Sequence, residues 1–499
     1  MFETTEKRKK MILGLVFILA IFLITFHFTD TPKVWIDEGY FTEVAKNLAT
    51  HGVLGLQTEP GSFFGVSTIS VGYPTIFPVA SSFVLFGTGL WQARLPMIIY
   101  MFLFVIIFYL FTKKRYGFYP AILSVLMLLS FAPFYGNGRS VLEEVPGLFF
   151  LLLGSLFLLY WEESSFQSKK WALFSGLSLG LAISAKPIYM IVLSVALVLT
   201  LLVWIRKIKN KKILLFFALG LIPPLLLWAY MQFPTIDSLI KIVPIYIHLG
   251  SNHTSSISVW QTVWTNFSKF FTESTPILFS LLLVTTILSL LLPRTLLKKF
   301  ELNNNNNNID KADKKRNWSI AEYLILSFII INWLAYLFGT GWYRYFFPAN
   351  VLAYLLFPAS VLSLIRIFSS VFVKRVLNII LIILVLFQFT HLIFYSDTNF
   401  FAPRTKNDEL SSALLNIDSE KKVLFYNTIE AIIFLKGSNY SQYLTVGDFL
   451  DMGNKDSKSD SSFDYILIAP NYSENISTDC YERKQVGGYY LFQKNSQCK

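Results

Sequence analysis

The sequence predicts a polytopic α-helical membrane protein with a small α/β unit at its C-terminal end. Three observations carry this. Hydrophobic residues make up 54% of the chain and charged residues 15%, against about 25% charged in soluble domains. The apolar residues come in blocks: 11–28 holds no charge apart from His27, and 98–112 holds none. Between blocks stand compact basic clusters, beginning with Lys7-Arg8-Lys9-Lys10 and Lys113-Lys114-Arg115.

A helix needs about 20 apolar residues to cross the hydrocarbon core. By that measure the chain reads as about eleven spans, roughly 11–28, 93–112, 118–135, 141–161, 171–185, 187–205, 212–231, 275–293, 320–339, 345–366 and 374–394. The first follows a basic cluster with no small-residue cleavage site behind it, so it reads as an anchor. Segment 73–86 is apolar but short, and Pro74 and Pro78 interrupt it. It either spans or lies in the interface, and the basic residues decide. With a cytoplasmic N-terminus and 73–86 not spanning, the Lys and Arg clusters all fall in cytoplasmic loops. If 73–86 spanned, Lys113-Lys114-Arg115 and every later cluster would face outward.

This threading makes 1–394 the membrane domain, with extracytoplasmic loops at 29–92 and 231–274. A cytoplasmic loop at 300–317, carrying Asn303 to Asn308, reads as disordered. The net charge of +12 then belongs mainly to cytoplasmic loops and calls for no nucleic acid. Region 395–499 falls outside the membrane as an α/β domain, with strands near 423–426, 465–469 and 489–492 and a helix near 429–435. Both cysteines, Cys480 and Cys498, lie there. An extracytoplasmic domain permits a disulfide between them, and two free thiols are the equal alternative.

Ionisable groups inside a membrane are costly and tend to be functional. Here they avoid mid-span positions and gather at the outer ends. Asp37 and Glu38 follow the first span and open an amphipathic stretch with Phe41, Val44, Ala45 and Leu48 on one face and Gly52 as its stop. Asp37 is either a functional acid or the cap of that surface helix. Arg139, Glu143 and Glu144 stand between the third and fourth spans, where Arg139 and Glu143 have the spacing of a helical ion pair. Lys186 precedes Pro187 between two spans, and Arg344 stands between Tyr343 and Tyr345. Each cation is either an interface anchor or a ligand for a lipid phosphate. His51, His248 and His253 form no pair with metal-ligand spacing. There is no P-loop, no dinucleotide fingerprint and no Gly-x-Ser-x-Gly.

Taken in order, these motifs resemble the GT-C glycosyltransferases, especially the group of protein O-mannosyltransferases and lipid A aminoarabinose transferases. The resemblance runs through Asp37-Glu38-Gly39-Tyr40, Tyr73-Pro74-Thr75-Ile76-Phe77-Pro78, Ala93-Arg94-Leu95-Pro96, Arg139 with Glu143 or Glu144, Ser184-Ala185-Lys186-Pro187 and Arg344-Tyr345-Phe346-Phe347-Pro348. It covers nearly the whole chain. Many relatives carry an acid or His before a Pro-Pro pair where Gly72-Tyr73-Pro74-Thr75 stands here, and an Asp where Glu143 or Glu144 stands.

The resemblance implies an integral plasma-membrane enzyme that moves a sugar, with inversion, from a polyprenyl-phosphate donor to a protein, lipid or glycan acceptor on the outer face. It implies Asp37 as general base with Glu38 beside it, and Arg139, Glu143 and Glu144 at the acceptor side or behind it. Lys186, Arg344 and Tyr345 would hold the donor phosphate. It leaves room for a divalent metal, and no residue pattern demands one. The competing readings are a transporter or flippase for lipid-linked sugars and a non-catalytic membrane scaffold. Transporter sites lie near the midplane, which the placement of charge here disfavours.

Overall fold

A computed structural model describes residues 6–68, 72–237, 240, 258–272, 284, 318–339, 341–367, 371–396, 398, 401, 406–446, 450–456, 462–475 and 480–495. Helix α1 (Glu6–Thr25) leads to a largely buried helix α2 (Ile36–His51), a hairpin β1 (Gly55–Glu59) and β2 (Ser62–Gly65), and a short apolar helix α3 (Tyr73–Phe86). The bundle continues with α4 (Leu90–Tyr116), α5 (Phe118–Leu129), α6 (Ala132–Arg139), α7 (Glu144–Glu163), α8 (Lys169–Ile183), α9 (Pro187–Trp204) and α10 (Ile213–Gln232). After α11 (Val259–Thr272) come α12 (Ile320–Phe338), α13 (Tyr343–Ile367) and α14 (Val371–Thr390).

Among the described residues, six helices are long and apolar enough to cross a membrane: Leu90–Tyr116, Glu144–Glu163, Pro187–Trp204, Ile213–Gln232, Ile320–Phe338 and Asn378–Tyr395. A seventh is reached only by joining α5 and α6, so the count of about eleven is not established. Helix α1 stands at the expected first span, but charged residues fill its first five positions. Helix α8 has 15 residues, about 22 Å of helix, shorter than the hydrocarbon core. The span expected at 275–293 lies, apart from residue 284, outside the described residues, as does the loop at 300–317.

The span expected at 118–135 is not a single straight helix. The chain bends by 67° between α5 and α6. Phe131 between them is extended, and Pro133 sits in the first turn of α6, where its fixed φ and missing N–H are tolerated at a helix start. Elsewhere small residues let helices close up. A Cβ on Gly176 would meet the Phe217 carbonyl oxygen at 2.0 Å, and one on Gly220 the Leu173 carbonyl oxygen at 2.2 Å. Helices α8 and α10 therefore touch backbone to backbone, as small-residue membrane contacts do.

Opposite charges tie one end of the bundle together. Arg115 at the end of α4 pairs with Glu322, which closes the capping box of Ser319 at the start of α12. Lys114 pairs with Glu163 at 2.7 Å, and Glu162 accepts from the Ile320 amide at 3.1 Å.

The C-terminal region is a six-stranded sheet in the order β5-β4-β3-β6-β8-β7. Its strands are β3 (Val423–Tyr426), β4 (Tyr440–Val446), β5 (Leu450–Met452), β6 (Tyr465–Ile468), β7 (Tyr481–Val486) and β8 (Tyr489–Lys494), with α15 (Lys406–Leu414) preceding them. β3 runs parallel to β4 and β6, and the other pairs are antiparallel. Strand alternation sorts its core onto two faces. Leu424, Tyr426, Ile466 and Ile468 pack on one side, while Val423, Phe425, Leu467 and Leu491 join Phe41, Val44 and Ala45 of α2 on the other. The segment at 429–435 is a 3-10 turn, Ile429–Phe434. Cys480 is disulfide-bonded, and Cys498, the other cysteine of the sequence, lies outside the described residues.

Candidate active site at the end of the bundle

Helix α2 presents the two acids at its start to different partners. Successive helical residues are about 100° apart around the axis, so Asp37 and Glu38 cannot share a face. Glu38 is fully buried and receives Arg94 of α4 in a bidentate pair, Nε to Oε1 and Nη2 to Oε2, both 2.8 Å. Its Oε1 also accepts from the Val141 amide at 3.0 Å. Arg94 spends its remaining donors on the carbonyls of Phe28 at 2.8 Å and Pro32 at 2.9 Å. Glu38 is thus the peg that fixes α2 to α4 and to the turn after α6.

Asp37 points elsewhere. The helix begins at Ile36 with Trp35 as its N-cap, so Asp37 is not the cap. Its carboxylate pairs with Arg344 at the start of α13, and both side chains keep some exposure, 21% and 17%. The Arg344 guanidinium lies about 5 Å from three ring centres: Trp35 at 5.1 Å, Trp342 at 5.0 Å and Tyr345 at 4.9 Å. It also donates to the Tyr345 hydroxyl at 3.1 Å. The other face of this link is Lys186, 5.7 Å from the Tyr345 ring centre and paired with Glu144. Asp37, Arg344, Tyr345, Lys186 and Glu144 therefore form one connected cluster drawn from α2, α13, the residue before α9 and the first residue of α7.

The two glutamates at the start of α7 have separate partners. Glu144 takes Lys186, and its main-chain carbonyl accepts from the Tyr189 hydroxyl at 2.6 Å. Glu143 accepts from the amide of Gly72, just ahead of α3. Gly72 is pressed between them: a Cβ there would lie 2.0 Å from the Ala185 carbonyl oxygen and 2.8 Å from Glu143 Oε1. Arg139 does not pair with Glu143 as its spacing suggested. It turns toward α1, donating to Thr31 Oγ1 at 2.8 Å and the Leu23 carbonyl at 2.7 Å. The reason is that α6 ends at Arg139, so no continuous helix carries it to Glu143.

The C-terminal sheet grips α2 just beyond Asp37. A Cβ on Gly39 would come within 2.7 Å of the Glu430 amide nitrogen. One turn later Glu43 is buried and accepts from the Gln57 amide at 2.9 Å, Tyr440 Oη at 3.0 Å and Gln442 Nε2 at 2.6 Å. Lys46 donates to the Leu435 carbonyl at 3.0 Å. Burial pushes the Glu43 carboxyl up to about 7 and the Lys46 amine down to about 8.

Sequence reasoning missed Arg94 as the partner of Glu38, the Trp35 and Trp342 rings, and Glu43 with Lys46. Arg94 carried a readable signal, a cation near the start of an apolar helix, which needs a buried partner. Among the described residues no three of His, Cys, Asp and Glu converge as metal ligands do.

Residues 76–228 match the family model of dolichyl-phosphate-mannose-protein mannosyltransferases. No curated protein sequence matches the chain. Solved structures do. The structure of ArnT from Cupriavidus metallidurans bound to undecaprenyl phosphate aligns over 97% of this chain and 98% of its own, with TM-score 0.62 and 11% identity. The Archaeoglobus fulgidus oligosaccharyltransferase in complex with Zn and sulfate aligns over 97% of this chain and 73% of its own, with TM-score 0.52 and 11% identity. The same oligosaccharyltransferase, tethered to an acceptor peptide containing the NVT sequon, aligns over 99% and 74%, with TM-score 0.51 and 10% identity. The chain therefore shares its fold with ArnT and with this oligosaccharyltransferase, and its residues 76–228 resemble the dolichyl-phosphate-mannose-protein mannosyltransferase family.

Proposed function

We propose that this protein is a glycosyltransferase that moves a sugar from a polyprenyl-phosphate donor to a hydroxyl acceptor at the outer face of the plasma membrane. The acceptor is a protein, lipid or glycan. In this reading the N-terminus is cytoplasmic and the C-terminal sheet extracytoplasmic, and the Arg115–Glu322 end of the bundle faces the cytoplasm. The observation that carries the proposal is the cluster from Asp37 to Glu144: two acids and two cations joined through Tyr345 at one end of the helices. A transporter would hold its charges near the midplane instead.

The chemistry follows from the partners. The leaving group is a lipid phosphate, whose charge Arg344 and Lys186 neutralise. Each cation is held by a carboxylate, Arg344 by Asp37 and Lys186 by Glu144. A phosphate that draws Arg344 toward itself releases Asp37. The freed carboxylate then takes the proton of the acceptor hydroxyl as that oxygen attacks the anomeric carbon. The bond to the phosphate oxygen breaks on the opposite side, inverting the configuration. Glu38 and Arg139 act behind the site by fixing α2 and the turn after α6, and Glu143 holds the Gly72 loop.

The test is loss of the sugar-bearing lipid, followed by mass spectrometry, with purified protein in lipid, a panel of polyprenyl-phosphate sugars and a crude envelope acceptor. Loss with the wild type and none with Asp37→Asn is expected. Equal loss in both would remove Asp37 as the base, and no loss with any donor would overturn the transferase reading.

A further inference from the structure

Trp35 and Trp342 have no part in the reaction as described, yet both border the cluster. Trp35 is the residue before α2, two positions from Asp37, and Trp342 is the residue before α13, two positions from Arg344. They lie at similar distances from the Arg344 guanidinium, and the Trp342 ring stacks on Tyr345 with centres 5.9 Å apart and planes 14° apart. A ring whose only task was to shield a cation would be buried with it. Instead Trp35 is 37% exposed and Trp342 51% exposed, while Arg344 beneath them is far less so.

We propose that Trp35 and Trp342 form the subsite for the sugar of the donor, stacking on the apolar face of its ring. The inference rests on the donor reading above and extends it to the group that is transferred. The geometry places the subsite where the chemistry requires it. The sugar is joined to the phosphate through one oxygen, so a phosphate seated on Arg344 sets the sugar ring beside that guanidinium. The two exposed aromatic rings stand there, and the Asp37 carboxylate, which must reach the acceptor at the anomeric carbon, is paired with that same guanidinium. Large rigid rings supply contact area at little entropic cost, and their electron-rich faces suit the partly positive C–H groups of a sugar. Stacking reads the shape of the ring more than its hydroxyl pattern, so these residues discriminate a sugar-bearing lipid from a bare one.

The experiment compares binding of undecaprenyl phosphate with that of undecaprenyl-phosphate glucose, mannose and arabinose, by native mass spectrometry of the full chain in nanodiscs. For Trp342→Ala and Trp35→Ala the sugar-bearing lipid that the wild type binds best is expected to weaken roughly ten-fold. Bare undecaprenyl phosphate should change less than about two-fold. Trp342→Phe and Trp35→Phe should restore most of the loss and serve as variants that keep the fold. Equal weakening of both lipids would overturn the subsite, since the rings would then only support Arg344 or anchor the chain in the interface. Unchanged binding of both would overturn it too. A wild type that binds no undecaprenyl phosphate, bare or glycosylated, would overturn the donor reading itself.

Discussion

The carboxylate of Asp37 is held by the guanidinium of Arg344, so the acid and the cation that a lipid-phosphate sugar would need occupy each other. In the proposed mechanism donor phosphate would compete with Asp37 for that cation. Asp37→Asn removes the competitor while keeping the size of the side chain. The variant should bind undecaprenyl phosphate several-fold more tightly than the wild type while losing turnover. Titration of the lipid in nanodiscs checks this, and weaker binding would show that Asp37 supports Arg344 rather than competing with the phosphate.

The Lys186–Glu144 pair is the more buried of the two, with side-chain exposures of 8% and 1%. Removing one partner of such a pair costs about 3–5 kcal/mol because the other is left charged and alone. Lys186→Met should therefore lower the thermal unfolding temperature in detergent markedly. The double variant Lys186→Met with Glu144→Leu should recover most of that stability but not sugar transfer. If the double variant is also active, Lys186 has no role at the phosphate.

Gly39 is the point where the C-terminal region meets helix α2. The main chain at Glu430 leaves no room for a methyl group there. Gly39→Ala should cost about 1–3 kcal/mol by overpacking and move α2 away from the 3-10 turn. The expected result is faster proteolytic cleavage ahead of Lys406 and a fall in kcat larger than any change in donor binding. Wild-type proteolysis and kcat in this variant would mean that the contact does not position Asp37.

Glu43 and Lys46 make that same junction sensitive to pH. The folded-state value of Glu43 is raised to about 7, so its contribution to stability is present below its ordinary range and is lost as pH rises through about 7. Lys46 is depressed to about 8, so its contribution is present above its ordinary range and is lost as pH falls through about 8. The two windows leave the junction weakest between pH 7 and 8. Thermal unfolding followed from pH 5 to 10 should pass through a minimum there, and Glu43→Gln should flatten the acid side by an amount on the order of a few kcal/mol. A Glu43→Gln profile parallel to the wild type would remove Glu43 as the source.

Several elements were legible because they depend on local chemistry. Helix α2 could be read with its apolar face at Phe41, Val44 and Ala45 and its stop at Gly52, which adopts φ 69°. Residues three and four apart share a face, and glycine alone adopts that cap without strain. The short helix α3 and the strands β3, β6 and β8 were visible for similar reasons of length and residue type. The break between α5 and α6 was missed because the apolar run continues through it and hides the signal of Pro133.

What the sequence by itself determined is the set of apolar segments, the sites where charge gathers at their ends, and the motifs that resemble a transferase family. Only the tertiary structure decided which charges meet. Adjacent acids on one helix point about 100° apart, so the docking of α2 on α4 chose Glu38 for Arg94 and left Asp37 for Arg344. The same holds before α7, where Glu143 went to Gly72 and Glu144 to Lys186. A charge at the end of a helix must find a partner, but which partner is set by the rotation and packing of helices far apart in sequence, and no local pattern encodes that.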